Sequence, residues 1–182
     1  MQRRKGSFDP LAVTIILVCS LFFIFYLDLL LGRALATWGI VPRTYLGLRG
    51  VLFSPLLHFN AAHLVANASS LLVMLLFLSS NAKYRFNQTL GLIWILSGFG
   101  TWLIGRPAIH IGASGIIYGL VAYLIVAGIY MRGWLPALVG IFIFIVYGGI
   151  FYGALPQTGF MSWEGHFSGA VAGILVARFQ HD

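Results

Sequence analysis

The stretch "GASGIIYGL", Gly112 to Leu120, sets a serine between glycines at the head of an apolar run. Such a hydroxyl has two readings. Serine, like glycine and alanine, lets helices approach closely in lipid. It is also a nucleophile, provided the rest of the chain supplies a base and donors for the negative charge that develops. Composition sets the solvent in which the choice is made. Of 182 residues, 60% are hydrophobic and 8% charged, and the mean hydropathy is +0.94; soluble domains carry about 25% charged residues. Too little polar surface remains to cover a water-soluble globule, so the expectation is an all-α membrane protein.

A span needs about 20 mostly apolar residues, and the apolar runs predict spans at 11–31, 62–80, 87–104, 114–130, 135–153 and a short one at 166–179. Residues 1–182 read as a single membrane domain. The run from Leu11 to Leu31 follows a basic start but exceeds the roughly 7–15 apolar residues of a signal sequence, which makes it a retained first span. Between the first two spans, "GRALATWGIVPRTYLGLRGVLFSPLLHFNAA" mixes aromatics, Pro42, Pro55 and arginines. It is too polar to span and too apolar for a solvent loop, and is expected to form an interfacial lobe of short helical pieces.

Basic residues near span ends set the orientation. Arg3, Arg4, Lys5, Lys83, Arg85, Arg132 and Arg178 fall on one side, and Arg33, Arg43, Arg49 and Arg106 on the other, predicting cytoplasmic N- and C-termini. The net charge of +7 is thereby explained as topology; no basic stripe interleaved with aromatics suggests a nucleic-acid partner. Cys19 is the sole cysteine, which excludes an intramolecular disulfide.

In this topology the second, fourth and sixth spans enter from outside, and each opens with polar residues: His63 and Asn67, then Ser114, then His166. Ionisable groups at membrane depth are expensive and usually functional. Gly115 and Gly119 follow the serine, and Gly169 and Gly173 follow the histidine, as two small-xxx-small faces that would bring those spans together with Ser114 and His166 at matching depth. Neutral His166 would then take the Ser114 proton as the hydroxyl attacks a carbonyl, and return it to the leaving amine. His63 and Asn67, at i and i+4, share a helix face and would stabilise the oxyanion together with backbone N–H groups around Gly112 to Ser114. Alone, Asn67 reads equally well as an interhelical hydrogen bond.

The chain holds four carboxylates. Asp9 and Asp182 fall on the wrong side, Asp28 is expected to snorkel toward the outer headgroups, and Glu164 is too close to His166 in sequence to face it, so a Ser-His dyad is expected rather than a triad. His58, His63, His110 and His166 all lie on the outer side, but no HExxH or close HxxxH pair occurs, and neither a metal nor another cofactor is expected.

Together, "HFNAAHLVAN", "GASG" and "GHFSGAVAG" resemble the rhomboid intramembrane serine proteases, from about Leu11 to Arg178. The resemblance implies a six-transmembrane-helix bundle with an interfacial loop between helices 1 and 2. It further implies Ser114 as nucleophile, His166 as base, and His63 and Asn67 as oxyanion-hole residues, with Gly112 shaping the loop. His58 matches a structural histidine and Tyr118 the aromatic on which the base packs. A Trp-Arg pair common in the family is replaced by Leu48-Arg49. The implied activity is endoproteolysis of transmembrane protein substrates within the bilayer, in a prokaryotic plasma membrane. The competing readings are a catalytically silent protein that binds client membrane helices, and a small transporter, which the scarcity of ionisable residues in the inner halves of the spans disfavours. Oligomeric state is not legible.

Overall fold

The computed structural model describes residues 8–159 and 161–181; Arg3, Arg4 and Lys5 of the charge count, and Asp182, lie outside them. Among the described residues the regular elements are all helical. Six long helices, α1 (Pro10–Leu30), α3 (Ala61–Ser79), α4 (Phe86–Ile104), α5 (Ser114–Tyr130), α6 (Trp134–Tyr147) and α7 (Trp163–His181), form the bundle, and the short α2 (Gly50–Phe53) sits in the lobe between α1 and α3. The chain is an integral membrane protein. By length and apolarity α1, α3 and the stretch Trp134–Ala154 can each cross a bilayer, while α5 is shorter at 17 residues.

Local chemistry sets the helix starts. Asp9 caps α1 by accepting from the Leu11 amide at 2.9 Å, with Pro10 opening the helix, and Asn60 caps α3 by accepting from the His63 amide at 2.8 Å. The last helix begins at Trp163, three residues before the expected start at 166, because the Ser162 hydroxyl accepts from the Gly165 amide at 3.1 Å. The fifth span also departs from expectation. Its α-helix ends at Tyr147, and Gly148–Ala154 continues as a tighter 3₁₀ turn through three glycines.

α5 is the central helix: every residue from Ile116 to Leu124 is buried. Its closest partner is α7. A Cβ on Gly169 would run into the Gly115 carbonyl, and one on Gly173 into the Gly119 carbonyl. The two glycine pairs thus meet backbone to backbone, and any side chain there would force the helices apart.

The lobe comprises 3₁₀ turns at Leu35–Trp38, Leu46–Arg49 and Ser54–Leu56 around α2. Indole N–H groups of α4 hold it: Trp94 donates to the Val51 and Leu52 carbonyls at 3.1 and 3.2 Å, and Trp102 donates to the Thr44 carbonyl at 2.9 Å. The tryptophan absent beside Arg49 is replaced from elsewhere in the lobe. Arg49 lies 5.0 Å over the Trp38 ring and donates to the Thr37 carbonyl at 3.2 Å.

The other arginines on this end of the bundle are likewise bound to carbonyls. Arg33 donates to the carbonyls of His58 (3.1 Å) and Phe59, and Arg43 donates to those of Leu103 and Gly105 at 2.9 and 2.8 Å, covering the carbonyl end of α4. Arg106 donates to Gln157 at 3.3 Å, Gly159 at 3.0 Å and Met161. Asp28 does not snorkel. It is 2% exposed, accepts from the Leu35 and Ala36 amides at 2.8 and 3.3 Å, and pairs with Arg33 at 3.2 Å, so that it anchors the lobe to α1.

Candidate active site

Three polar helix starts converge at the lobe end. Ser114 is the first residue of α5, where the N–H has no partner within the helix. His166 lies in the first turns of α7, and the glycine contacts bring the two helices close enough for the Ser114 hydroxyl to meet His166 Nε2 at 2.9 Å. The other ring nitrogen, Nδ1, lies 2.8 Å from the Gly153 carbonyl. That oxygen only accepts, so Nδ1 carries the proton and Nε2 presents its lone pair to the serine. Tyr118, one turn after Ser114, stacks on the imidazole with ring centroids 4.1 Å apart and planes within 9°. Face and edges of the ring are therefore all constrained.

The orienting acceptor is a backbone carbonyl delivered by the 3₁₀ turn, and no residue-type signal in the sequence marks it. Its local trace is the glycine. A Cβ at position 153 would collide with the Tyr118 hydroxyl and lie 3.3 Å from His166 Nδ1. No carboxylate completes a triad among the described residues. Glu164, 1% exposed, instead accepts from the Arg106 amide at 3.2 Å and faces its guanidinium at 3.6 Å.

His63 and Asn67 lie where their helix-face spacing anticipates, both against Gly112. A Cβ on Gly112 would fall 2.7 Å from His63 Cε1 and 3.5 Å from Asn67 Nδ2, and the residue has φ of +117°, so both space and backbone require glycine. Asn67 Nδ2 is buried with no hydrogen-bond partner. One expectation is corrected: the Gly112 N–H is not available to an oxyanion, because it donates to the Ser54 carbonyl at 2.9 Å. Donors near the serine reduce to later amides and the two side chains.

His58, 1% exposed at the end of the lobe, meets His63 edge-on with centroids 5.1 Å apart. Burial, helped by the nearby His63 and opposed by the Leu56 carbonyl, lowers its imidazole to about 4, which keeps it neutral beside the site. Behind Ser114, a cavity of about 30 Å³ is lined by Ser97, Thr101, His110 and Gly115 among others, enough for a water molecule. The described residues contain no cluster of three or more His, Cys, Asp or Glu side chains suited to a metal.

Comparison with known proteins agrees with this architecture. The family model described as the Rhomboid domain matches residues 45–181. Similar curated proteins include the uncharacterized protein Mb1372 of Mycobacterium bovis and the uncharacterized protein Rv1337 of Mycobacterium tuberculosis, each 45% identical over 170 residues, or 88% of this chain and 70% of the relative. The uncharacterized protein ML1171 of Mycobacterium leprae is 39% identical over 138 residues, or 70% of this chain and 54% of its own length.

Proposed function

This chain belongs to the rhomboid family, and from that premise we propose that it is an intramembrane serine endopeptidase whose dyad is Ser114 and His166. One observation carries the reading. The Ser114 hydroxyl meets a histidine nitrogen at 2.9 Å while the opposite nitrogen donates to a carbonyl at 2.8 Å, the arrangement of an oriented general base. As Ser114 attacks a scissile carbonyl, Nε2 takes the hydroxyl proton and then passes it to the leaving amine. The Gly153 carbonyl stabilises the imidazolium formed in between, in the place of a carboxylate.

The tetrahedral oxyanion is stabilised by the Ser114 amide, the unpartnered Asn67 amide and His63, all preorganised around Gly112. In the second half of the reaction a water attacks the acyl-enzyme carbonyl while Nε2 takes its proton, and that proton returns to the Ser114 oxygen as the ester bond breaks and the new carboxyl end leaves. Orphaning Asn67 Nδ2 costs about 1–3 kcal/mol in the free protein; a donor kept waiting for a transient oxyanion supports a catalytic role over simple interhelical packing.

Its substrates are transmembrane proteins, cut in or near a span where the helix is readily unwound, since a regular helix shields its carbonyls. Lys83, Arg85, Arg132 and Arg178 lie at or beyond the helix ends away from the lobe, which supports cytoplasmic termini and an outward-opening site in a prokaryotic plasma membrane. Residues 1–182 act as one domain, without a nucleic-acid partner.

Labelling of the detergent-solubilised protein with a fluorophosphonate tests this reading. The wild type is expected to label, and Ser114→Ala and His166→Ala are expected not to; equal labelling of wild type and Ser114→Ala would sink it. A folded wild type that resists a probe able to enter the cavity would favour the alternative, a silent protein that binds client helices.

A further inference from the structure

His110 has no part in the chemistry above, yet it is buried at 5% exposure beside the candidate site and bonded on every side. It lies four residues before Ser114, in the segment between α4 and α5. Its backbone exchanges two hydrogen bonds with Ile40 of the lobe, each 2.9 Å. Its ring Nδ1 is 2.6 Å from the Ser162 hydroxyl, and Nε2 is 3.0 Å from the Arg106 carbonyl.

The acceptors assign the protons. The Arg106 carbonyl can only accept, so Nε2 carries the hydrogen and Nδ1 accepts from Ser162. Ser162 in turn accepts from the Gly165 amide at 3.1 Å, while its own carbonyl accepts from the His166 amide at 3.1 Å. A directed chain thus runs from the first turn of α7, which bears His166, through Ser162 to His110, and from there along four residues to Ser114. The glycine faces set how closely α5 and α7 approach, and the Tyr123 hydroxyl ties α5 to the C-terminal end of α7 through Gln180 and His181, which leaves the register at the site end to be fixed locally. The Ser162–His110 bond ties the start of one helix to the segment that starts the other.

We propose that His110 is a positioning residue, holding the N-terminus of α7 in register with the N-terminus of α5 so that His166 Nε2 meets the Ser114 hydroxyl. Its effect on reaction rate rests on the protease reading; the mechanical coupling does not. Small displacements of reacting groups, on the order of 1 Å, cost about a hundredfold in rate, so the link is expected to act on turnover and not on ligand binding.

The test uses the full chain in detergent as wild type, His110→Phe, His110→Asn, Ser162→Ala and the His110→Phe/Ser162→Ala double variant. Fluorophosphonate labelling is measured against probe concentration, to separate the maximal inactivation rate from the probe's affinity, and amide hydrogen exchange is followed at residues 163–166. In His110→Phe and Ser162→Ala the maximal rate should fall roughly tenfold to a hundredfold with affinity unchanged, and the double variant should lose no more than Ser162→Ala alone, which already removes the link to His110 together with the Gly165 cap. His110→Asn, whose side-chain oxygen can still accept from Ser162, should recover most of the rate. Exchange at 163–166 should accelerate in His110→Phe, where the Ser162 cap on Gly165 is intact, and not in His110→Asn.

Wild-type rates in folded His110→Phe and Ser162→Ala, or fully additive losses, would overturn the proposal. If His110→Phe does not fold, the Ser162→Ala and His110→Asn pair decides by the same criteria. If the wild type itself does not label, the protease reading fails, and unchanged exchange in the variants would then separately refute the coupling.

Discussion

The α5–α7 contact carries a tyrosine–histidine pair at two levels, one at the lobe end and one where the middle of α5 meets the C-terminal end of α7, used in opposite ways. At the lobe end Tyr118 offers its ring face to His166, 4.1 Å away and nearly parallel, so both imidazole nitrogens are left for directed bonds to Ser114 and to Gly153. Toward the C-terminal end of α7, Tyr123 from the middle of α5 offers its hydroxyl. It lies 3.0 Å from His181 Nε2, 2.9 Å from Gln180 Oε1 and 3.2 Å from the Tyr84 carbonyl, with the tyrosine and histidine rings tilted at 50° and 6.0 Å apart. Thr89 joins the same acceptors, at 2.6 Å from the Tyr84 carbonyl and 3.0 Å from Gln180. A hydroxyl saturated in this way ties α5 to α7 and to the turn before α4. A stacked ring contributes packing without consuming a nitrogen. The same residue pair thus serves as a fastener at one level and, on the reading proposed above, as the mount of a base at the other.

The largest contrast between the two levels is expected from the proposed dyad. Ser114→Ala or His166→Ala should lower peptide-bond cleavage by about 10³-fold or more while leaving thermal stability near wild type, as measured by turnover of a transmembrane substrate beside a melting curve. Comparable activity in Ser114→Ala would assign the lobe end a role other than catalysis. Next comes Asn67→Ala, which removes a proposed oxyanion donor and should cost about 10²-fold in kcat with little change in KM; a pure KM effect would instead mark Asn67 as a binding or packing residue.

The two tyrosines give a crossed test of smaller size. Tyr118→Phe keeps the stacked ring and should stay near wild-type activity, whereas Tyr118→Leu should lose up to about tenfold, the equivalent of a stacking contact. Tyr123→Phe should do the reverse, leaving turnover per folded molecule unchanged and lowering stability by about 1–3 kcal/mol. If the two phenylalanine variants behave alike, the functional distinction between the two levels disappears.

The smallest effect concerns pH. His58 is neutral in the folded protein down to about 4 but takes up a proton near 6.5 once unfolded. The unfolded state therefore binds more protons between those values, and stability is lost as pH falls from 6.5 toward 4, by at most about 1.4 kcal/mol per pH unit. Melting curves of wild type and His58→Phe across this range should diverge on the acid side, the variant being flatter; parallel curves would show that His58 is not buried neutral.

Much of this architecture is legible in the chain before any coordinates. Apolar runs announce helices because a bilayer demands long uninterrupted stretches, and the paired glycines after Ser114 and after His166 announce which helices touch. Helix periodicity is enough to put His63 and Asn67 on one face. These are signals carried by residue type and short spacing. Where helix ends depend on a cap or on a change of winding, the reading slipped: Ser162 lengthens α7, and the Gly148–Ala154 turn replaces the end of a regular span.

Charge was the least reliable guide. Arg33, Arg43 and Arg106 counted only toward a topology rule, yet each is bound to backbone carbonyls, and Asp28 and Glu164 prove to be buried partners of two of them. A formal charge in sequence carries a sign but not an address.

The amino-acid order was sufficient for an all-helical membrane bundle and for nominating a serine, a base and a pair of oxyanion donors, because hydrophobicity, small-residue faces and helical period are properties of neighbouring residues. Orientation of the base was beyond it. The atom that fixes the His166 tautomer is the Gly153 carbonyl, and the amide withdrawn from the proposed oxyanion site is that of Gly112, donating to Ser54. Every residue but proline carries both of those groups, so composition cannot distinguish the one that matters; folding selects it by bringing segments distant in the chain within 3 Å of each other.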